Sequence, residues 1–410
     1  MINQERLWTR LMELSEIGKQ VGGGVTRFSF TEEDEKAKAL VASYMKEAGM
    51  TIREDAVGNL IGRREGRQKD APAVLVGSHI DTVPNGGMFD GALGVIAGIE
   101  VVQKLNEQHI QHDHPIEVIA FTDEEGSRFG YGMIGSRAIA GTLSAADLQQ
   151  RDQDGITIAK AMKEAGFDPE NIADAAKDST CVKCYVELHI EQGRVLENQG
   201  LAAGIVSGIA GPLWMKWTIL GEAGHAGATP MNIRKDPLMA AAEIMQYIEE
   251  EARNYPNAVA TVGQISVKPG GVNVIPAEAA FTLDLRDINE EIRNQAEERM
   301  TAYAQQVCRK RGVEFEVETL QRVDPVPCSE PIQKTIQDAF QKVGIEPFEL
   351  PSGAGHDGMQ FKSFCPIGMI FIRSKNGISH NPAEWSSKED CGRGTEILYE
   401  TVLALASECE

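Results

Sequence analysis

The chain is poor in positive charge. It has 40 lysines and arginines against 61 aspartates and glutamates, a formal net charge of −21. Such a surface argues against nucleic acid or an anionic membrane as partner, since both need basic patches. Long hydrophobic runs are also missing. Met1–Leu14 mixes charged and apolar residues as an amphipathic helix does, without the uninterrupted apolar core of a signal peptide, and no later stretch approaches a transmembrane span. A cytoplasmic protein is expected. Cysteines number 7, an odd count scattered along the chain, which suggests reduced thiols rather than a disulfide framework. The close pair Cys181 and Cys184 has no second pair or suitably spaced histidine, and reads as two half-buried strand residues. Internal repeats and low-complexity tracts are absent.

What remains is the composition of a globular protein, 42% apolar and 25% charged over 410 residues. That length suggests two domains. In the first part, the apolar run at 73–76 and the stretch 116–122 read as buried strands, and 184–189 as a further strand. Helices are expected over 31–48, with Thr31 as N-cap and acids in its first turn, over 91–106, and within 144–165. The histidines 109, 112 and 114 are expected in a solvated loop. From 213 the pattern changes to strand, helix, two strands joined by Pro269-Gly270-Gly271, helix, strand. This β-α-β-β-α-β order is that of a ferredoxin-like unit. The expected architecture is α/β: a mixed, mostly parallel sheet in a catalytic domain, residues 1–211 and 329–410, interrupted by a ferredoxin-like α+β domain at 212–328.

Each buried strand of the first part ends in residues that can bind a metal, at the carboxyl edge where α/β sheets place ligands. The first runs into His79-Ile80-Asp81, with Asp90 across the following loop. Asp81, two residues after the imidazole, is placed to hold the His79 ring and raise its basicity. Asp90 alone would read as a helix N-cap. The second strand ends in Asp123-Glu124-Glu125. Adjacent carboxylates repel unless both are used; a metal on one, with the other facing the attacking water as general base, would use both. The third strand ends in His189, and His380 lies in a loop before the last helix. Together His79, Asp90, Glu125, His189 and His380 offer nitrogen and oxygen donors for two ions sharing Asp90. Without thiolate, that set suits Zn²⁺, Mn²⁺, Co²⁺ or Ni²⁺.

At these residues the chain resembles the dinuclear metallopeptidase and amidohydrolase family that includes carboxypeptidase G, aminoacylase and β-alanine synthase. The runs G-S-H-I-D-T-V, G-M-F-D-G-A-L-G-V, T-D-E-E-G-S-R-F, H-I-E-Q-G (189–193) and G-I-S-H-N-P-A-E resemble those of N-carbamoyl-L-amino acid hydrolases and allantoate amidohydrolases. Peptidase members usually carry an acid at the position of His189. The resemblance implies Asp90 as bridging ligand, Glu124 as general base and the other four residues as terminal ligands. It also implies Gln192 at the site, and His225 polarising the scissile carbonyl in a partner subunit's site. Asn273 and Arg286 would hold the substrate carboxylate, a task that suits the planar guanidinium fork, and Gly355-His356 would supply further contacts. The implied reaction is hydrolysis of an N-carbamoyl-L-amino acid to the L-amino acid, CO₂ and ammonia, in a homodimer formed through the inserted domain. Allantoate hydrolysis is the nearest alternative; an aminoacylase or dipeptidase is disfavoured by His189.

Overall fold

The computed structural model describes residues 1–407, which divide into two compact units. The catalytic unit comprises Met1–Ser207 and Cys328–Leu350, and continues from His356; the inserted unit comprises Gly208–Pro327 and Pro351–Gly355. Pro351–Gly355 thus separates Gly355 from His356. Among the described residues no helix is long and apolar enough to cross a membrane.

In chain order the first part holds α1 (Gln4–Ser15), α2 (Glu32–Glu47), β1 (Thr51–Glu54), β2 (Leu60–Arg64), β3 (Ala73–His79), α3 (Ala92–Glu107), β4 (Ile116–Phe121), α4 (Ile134–Ile139), α5 (Ile158–Glu164), β5 (Val182–Ile190), α6 (Val195–Gln199) and β6 (Ala203–Ile209). The inserted part adds β7 (Gly211–Leu220), β8 (Gly224–His225), α7 (Pro237–Ala252), β9 (Val259–Lys268), β10 (Val274–Ile275), β11 (Glu278–Asp287), α8 (Glu290–Arg311), β12 (Glu314–Arg322) and β13 (Val326–Pro327). The chain closes with α9 (Glu330–Val343), β14 (Glu349–Ser352), β15 (Ile367–Ile372) and α10 (Lys388–Ser407).

The large sheet runs β1-β2-β4-β3-β5-β15-β6. Its centre, β4-β3-β5-β15, is parallel, with antiparallel strands at both flanks. β3, β4 and β15 are buried along their whole length, as parallel strands covered on both faces must be, which is why they read as continuous apolar runs. α3 lies close on this sheet through glycine: a Cβ at Gly94 would fall 2.5 Å from the Leu188 carbonyl oxygen. On α2, the Thr31 side chain accepts from Asp34 N–H and four acids occupy the first turn, as its sequence predicts.

The inserted unit is a sheet ordered β12-β7-β11-β9, antiparallel throughout. Buried positions alternate along β7, where Leu213, Met215, Trp217 and Ile219 join Ala241 and Ile244 of α7 and Met300 of α8 in one core. Asp236 and Asn289 cap the two helices.

Three local expectations need correction. The 144–165 stretch is helical only at 147–149 and 158–164. Between them the Asp152 carboxylate accepts the N–H groups of Asp154 and Ile156 and closes a turn. The strand expected from Val272 is broken at Pro276, which cannot donate to a ladder, so β10 pairs with β8 while β11 starts afresh at Glu278. His112 and His114 are buried rather than solvated, and each ring bonds a backbone carbonyl, of His114 and Pro72 respectively. Of the cysteine pair, Cys184 is buried in β5 and Cys181 is exposed just before it.

Candidate active site

Three parallel strands and two loops of the catalytic unit bring the expected ligands to one place. His79 ends β3, Glu124 and Glu125 follow β4, His189 lies one residue before the end of β5, and Asp90 and His380 come from loops. His189 Nε2 is 3.2 Å from Asp90 Oδ1, and His79 Nε2 is 3.7 Å from the same oxygen. On the other side, His380 Nε2 is 3.3 Å from Asp90 Oδ2 and 3.4 Å from Glu125 Oε1. His79 Nε2 also lies 3.7 Å from Glu124 Oε2.

Two of the groups with ligand atoms within 4.8 Å of one another are His79–Asp90–His189 and Asp90–Glu125–His380, sharing Asp90. Asp90 does not cap α3: the N-cap residue is Gly91, without a side-chain cap bond. Gly91 has φ +64, and a Cβ there would fall 2.4 Å from the His79 ring. Only glycine lets the turn pass so close to the imidazole.

The rings are aimed by backbone carbonyls. His79 Nδ1 donates to Asp81 O at 3.0 Å, and His189 Nδ1 to Ile190 O at 3.0 Å, so both Nε2 atoms face Asp90. Asp81 also bears on His79 by charge: burial lowers the ring's pKa, and the Asp81 carboxylate, ahead of Glu125 and Asp90, raises it. Its carboxylate is 3.7 Å from His79 Nδ1 and is engaged by the Glu124 and Glu125 N–H groups, both at 3.1 Å. The strand ends at His79, so the alternation that would stack the two side chains does not extend to Asp81. Asp81 therefore fixes the Glu124-Glu125 turn.

Converging carboxylates dominate the electrostatics. Burial, then the Glu125 charge, lifts the Glu124 carboxyl well above its usual range. Burial alone would raise Asp90 too, but the His189 and His380 rings hold it well below. Hydrogen bonds to Asp90 and then Glu125 lift His380 to about 10, while His189 reaches about 9 because Asp90 outweighs the burial that opposes it. A site of buried anions and imidazoles, with no cysteine in any candidate ligand group among the described residues, fits divalent ions of borderline hardness.

Gln192 Nε2 donates to Asp90 Oδ2 at 2.9 Å. His356 packs edge-on against His189, ring centroids 4.5 Å apart. In the inserted unit, β8 and β10 set His225 and Asn273 next to each other: Ala226 N–H donates to Asn273 O, and His225 Nδ1 accepts from the N–H groups of Gly227 and Ala228. Both residues are exposed. Arg286 forms a forked pair with Asp284 and donates to Gly353 O at 2.6 Å, in the segment that ends at Gly355.

Residues 75–404 match the profile of the peptidase family M20/M25/M40. The chain belongs to that family. Over 406 residues this M20/M25/M40 chain is 59% identical to the N-carbamoyl-L-amino acid amidohydrolase of Geobacillus stearothermophilus, covering 99% of each. It is 35% identical over 395 residues to the allantoate amidohydrolase of Bacillus subtilis strain 168, covering 96% of this chain and 95% of that one. Among solved structures, a hydantoinase/carbamoylase family amidase from Burkholderia ambifaria matches with a TM-score of 0.92 at 36% identity, over 100% of this chain and 99% of that one.

Around the site of this M20/M25/M40 chain stand residues that motif reading passed over. Glu187, two positions before His189 on β5, accepts from Ser78 Oγ at 2.6 Å and from the Tyr185 hydroxyl at 2.9 Å. The two-residue period of the strand was its only signal. Asp357, fully buried beside His356, is lifted to about 8 by burial and then by Glu187. Ser379 and Glu384 lie within the run that contains His380, yet nothing local marks them as partners of Asp90.

Proposed function

We propose that this protein is a metal-dependent amidohydrolase that cleaves the ureido C–N bond of N-carbamoyl-L-amino acids, releasing the L-amino acid, CO₂ and ammonia. The observation that carries this reading is His189 facing Asp90 opposite the Asp90–Glu125–His380 group, in a chain 59% identical along its length to an N-carbamoyl-L-amino acid amidohydrolase. His79, Asp90 and His189 would hold one ion, and Asp90, Glu125 and His380 a second, drawn from Mn²⁺, Co²⁺, Ni²⁺ or Zn²⁺. Such ions supply Lewis acidity to the attacking water and to the scissile carbonyl.

Glu124 takes the proton from the attacking water and returns it to the leaving nitrogen. His225 donates to the carbonyl oxygen as negative charge develops there, a contact worth about 3–4 kcal/mol by the measure of other oxyanion donors. Arg286 and Asn273 hold the substrate carboxylate, with Gln192, Gly355 and His356 completing recognition. The inserted unit is the expected lid and the contact between two copies of the chain, and the cytoplasm the expected compartment.

Initial rates of the manganese-loaded protein on N-carbamoyl-L-methionine, its D-isomer and allantoate test the reading. Turnover of the L-carbamoyl compound is expected; turnover of allantoate alone would replace it with the nearest alternative. Glu124→Gln should cut kcat by roughly 10²–10⁴ with metal content unchanged, and an active variant would sink the general-base assignment.

A further inference from the structure

The turn that delivers Asp90 and the loop that delivers His380 are tied together by a side chain outside the ligand set. Glu384 is 2% exposed. Its Oε1 accepts the backbone N–H groups of Phe89 and Asp90 at 2.9 and 3.1 Å. Its Oε2 lies 2.9 Å from Ser379 Oγ, and that oxygen lies 2.8 Å from Asp90 Oδ2. Gln192 Nε2 closes the ring, 2.9 Å from the same Oδ2 and 3.3 Å from Ser379 Oγ. The fit leaves no slack, since a Cβ at Gly87 would fall 1.9 Å from Glu384 Cδ. The residues beside the clamp are pinned separately: the rings of Phe89, Trp385 and Trp8 form a triangle with centroids 5.5 to 5.7 Å apart.

The network acts on Asp90 unequally. Ser379 and Gln192 both engage Oδ2, the oxygen facing His380, whereas Oδ1 faces His189 and His79. His380 itself needs support. Its side chain is 50% exposed, and its backbone sits at φ +54, a conformation a non-glycine residue keeps only when its surroundings impose it. His79 and His189 are buried at the ends of sheet strands and need no such help.

We propose that Glu384 is a positioning residue which, through Ser379, sets Asp90 Oδ2 and the His380 loop for the Asp90–Glu125–His380 ion, and leaves the His79–Asp90–His189 position largely independent of it. The proposal rests on the two-ion reading above. Residues that orient metal ligands typically change metal affinity by 10–100-fold when removed, so the two positions should separate on mutation.

The test is Mn²⁺ titration calorimetry on metal-stripped full-length protein, with thermal melting in chelator as the control for folding. Glu384→Ala and Ser379→Ala should bind the first equivalent as the wild type does and the second about 10–100-fold more weakly, with melting in chelator unchanged. Glu384→Gln keeps the acceptor for the Phe89 and Asp90 N–H groups and can donate its amide to Ser379 Oγ, so it should restore most of the second affinity. Variants that bind both equivalents as tightly as the wild type, or lose both equally, would overturn the proposal. If Glu384→Ala fails to fold, Ser379→Ala decides by the same criteria. A wild-type protein that binds a single equivalent would instead overturn the two-ion reading, a failure visible before any variant is compared.

Discussion

The two units present their candidate site residues in opposite ways. In the catalytic unit, His79 and His189 are almost wholly buried, their Nδ1 atoms bound to backbone carbonyls and their Nε2 atoms left facing Asp90. In the inserted unit, His225 and Asn273 are exposed on a short two-stranded ribbon, and the Arg286 side chain bonds Asp284 and Gly353. The first arrangement is preorganised and costly to disturb, because each donor already has its partner. In the second, His225 and Asn273 sit in local turns, while Arg286 stands on β11 between β7 and β9. In the proposed function the buried set would carry out the metal and proton chemistry, and the exposed groups would meet the substrate.

That contrast can be broken in a graded way. The largest effect is expected at Gly91→Ala. A side chain at φ +64 is strained, and its Cβ would collide with the His79 ring. Activity should fall by about two orders of magnitude or more with loss of bound metal, read by kcat and metal analysis. Next comes Arg286→Ala, which removes a charge-assisted anchor worth about 2 kcal/mol. KM should rise roughly 30-fold with little change in metal content, and a larger fall in kcat than rise in KM would contradict a ground-state anchor.

A third, smaller effect sits far from the ligands. Burial, then the Arg64 guanidinium, pushes the His112 ring down to about 4. The folded protein therefore keeps this ring neutral while the unfolded chain protonates it near the ordinary histidine value of about 6.5. The resulting stability is fully present above about 6.5 and is lost as pH falls to about 4. Urea unfolding of His112→Gln should show a shallower loss between those limits than the wild type. The smallest change in folding is expected at Ile265→Lys on the edge strand β9, where Ile265 is 51% exposed. Stability should stay within about 0.5 kcal/mol. Because a lysine on an edge blocks strand pairing, sedimentation equilibrium of this variant also tests the proposed contact between two copies.

Much of this was legible in the sequence because it was periodic or sat at a strand end. The runs at 73–76, 116–122 and 184–189 announced a parallel sheet, since burial on both faces leaves no polar alternation. The inserted unit announced itself by its β-α-β-β-α-β order and by its Pro269-Gly270-Gly271 turn. The candidate ligands His79 and His189 and the Glu124-Glu125 pair were marked by their chemistry at those strand ends, and Asp90 and His380 by their loops. What could not be read were partners set by the folded chain alone. That Asp81 bonds the His79 ring through its carbonyl, with the carboxylate 3.7 Å away, follows from the strand stopping at His79. His112 and His114 looked solvated because their carbonyl partners leave no local pattern. Glu384 reaches back 295 positions to the Phe89 N–H, a distance at which no local pattern carries information.

The order of strands in the large sheet bears on how the protein is made. β15 lies between β5 and β6, yet it is synthesised after the whole inserted unit. A growing chain can close the β7–β12 sheet as soon as Arg322 has emerged, because every strand of that sheet is then present. The larger sheet stays open between β5 and β6 until Ile372 is available, and His380 arrives later still. On the ribosome the β7–β12 sheet can therefore mature first, and the candidate ligand set is completed only when the last stretch of chain docks.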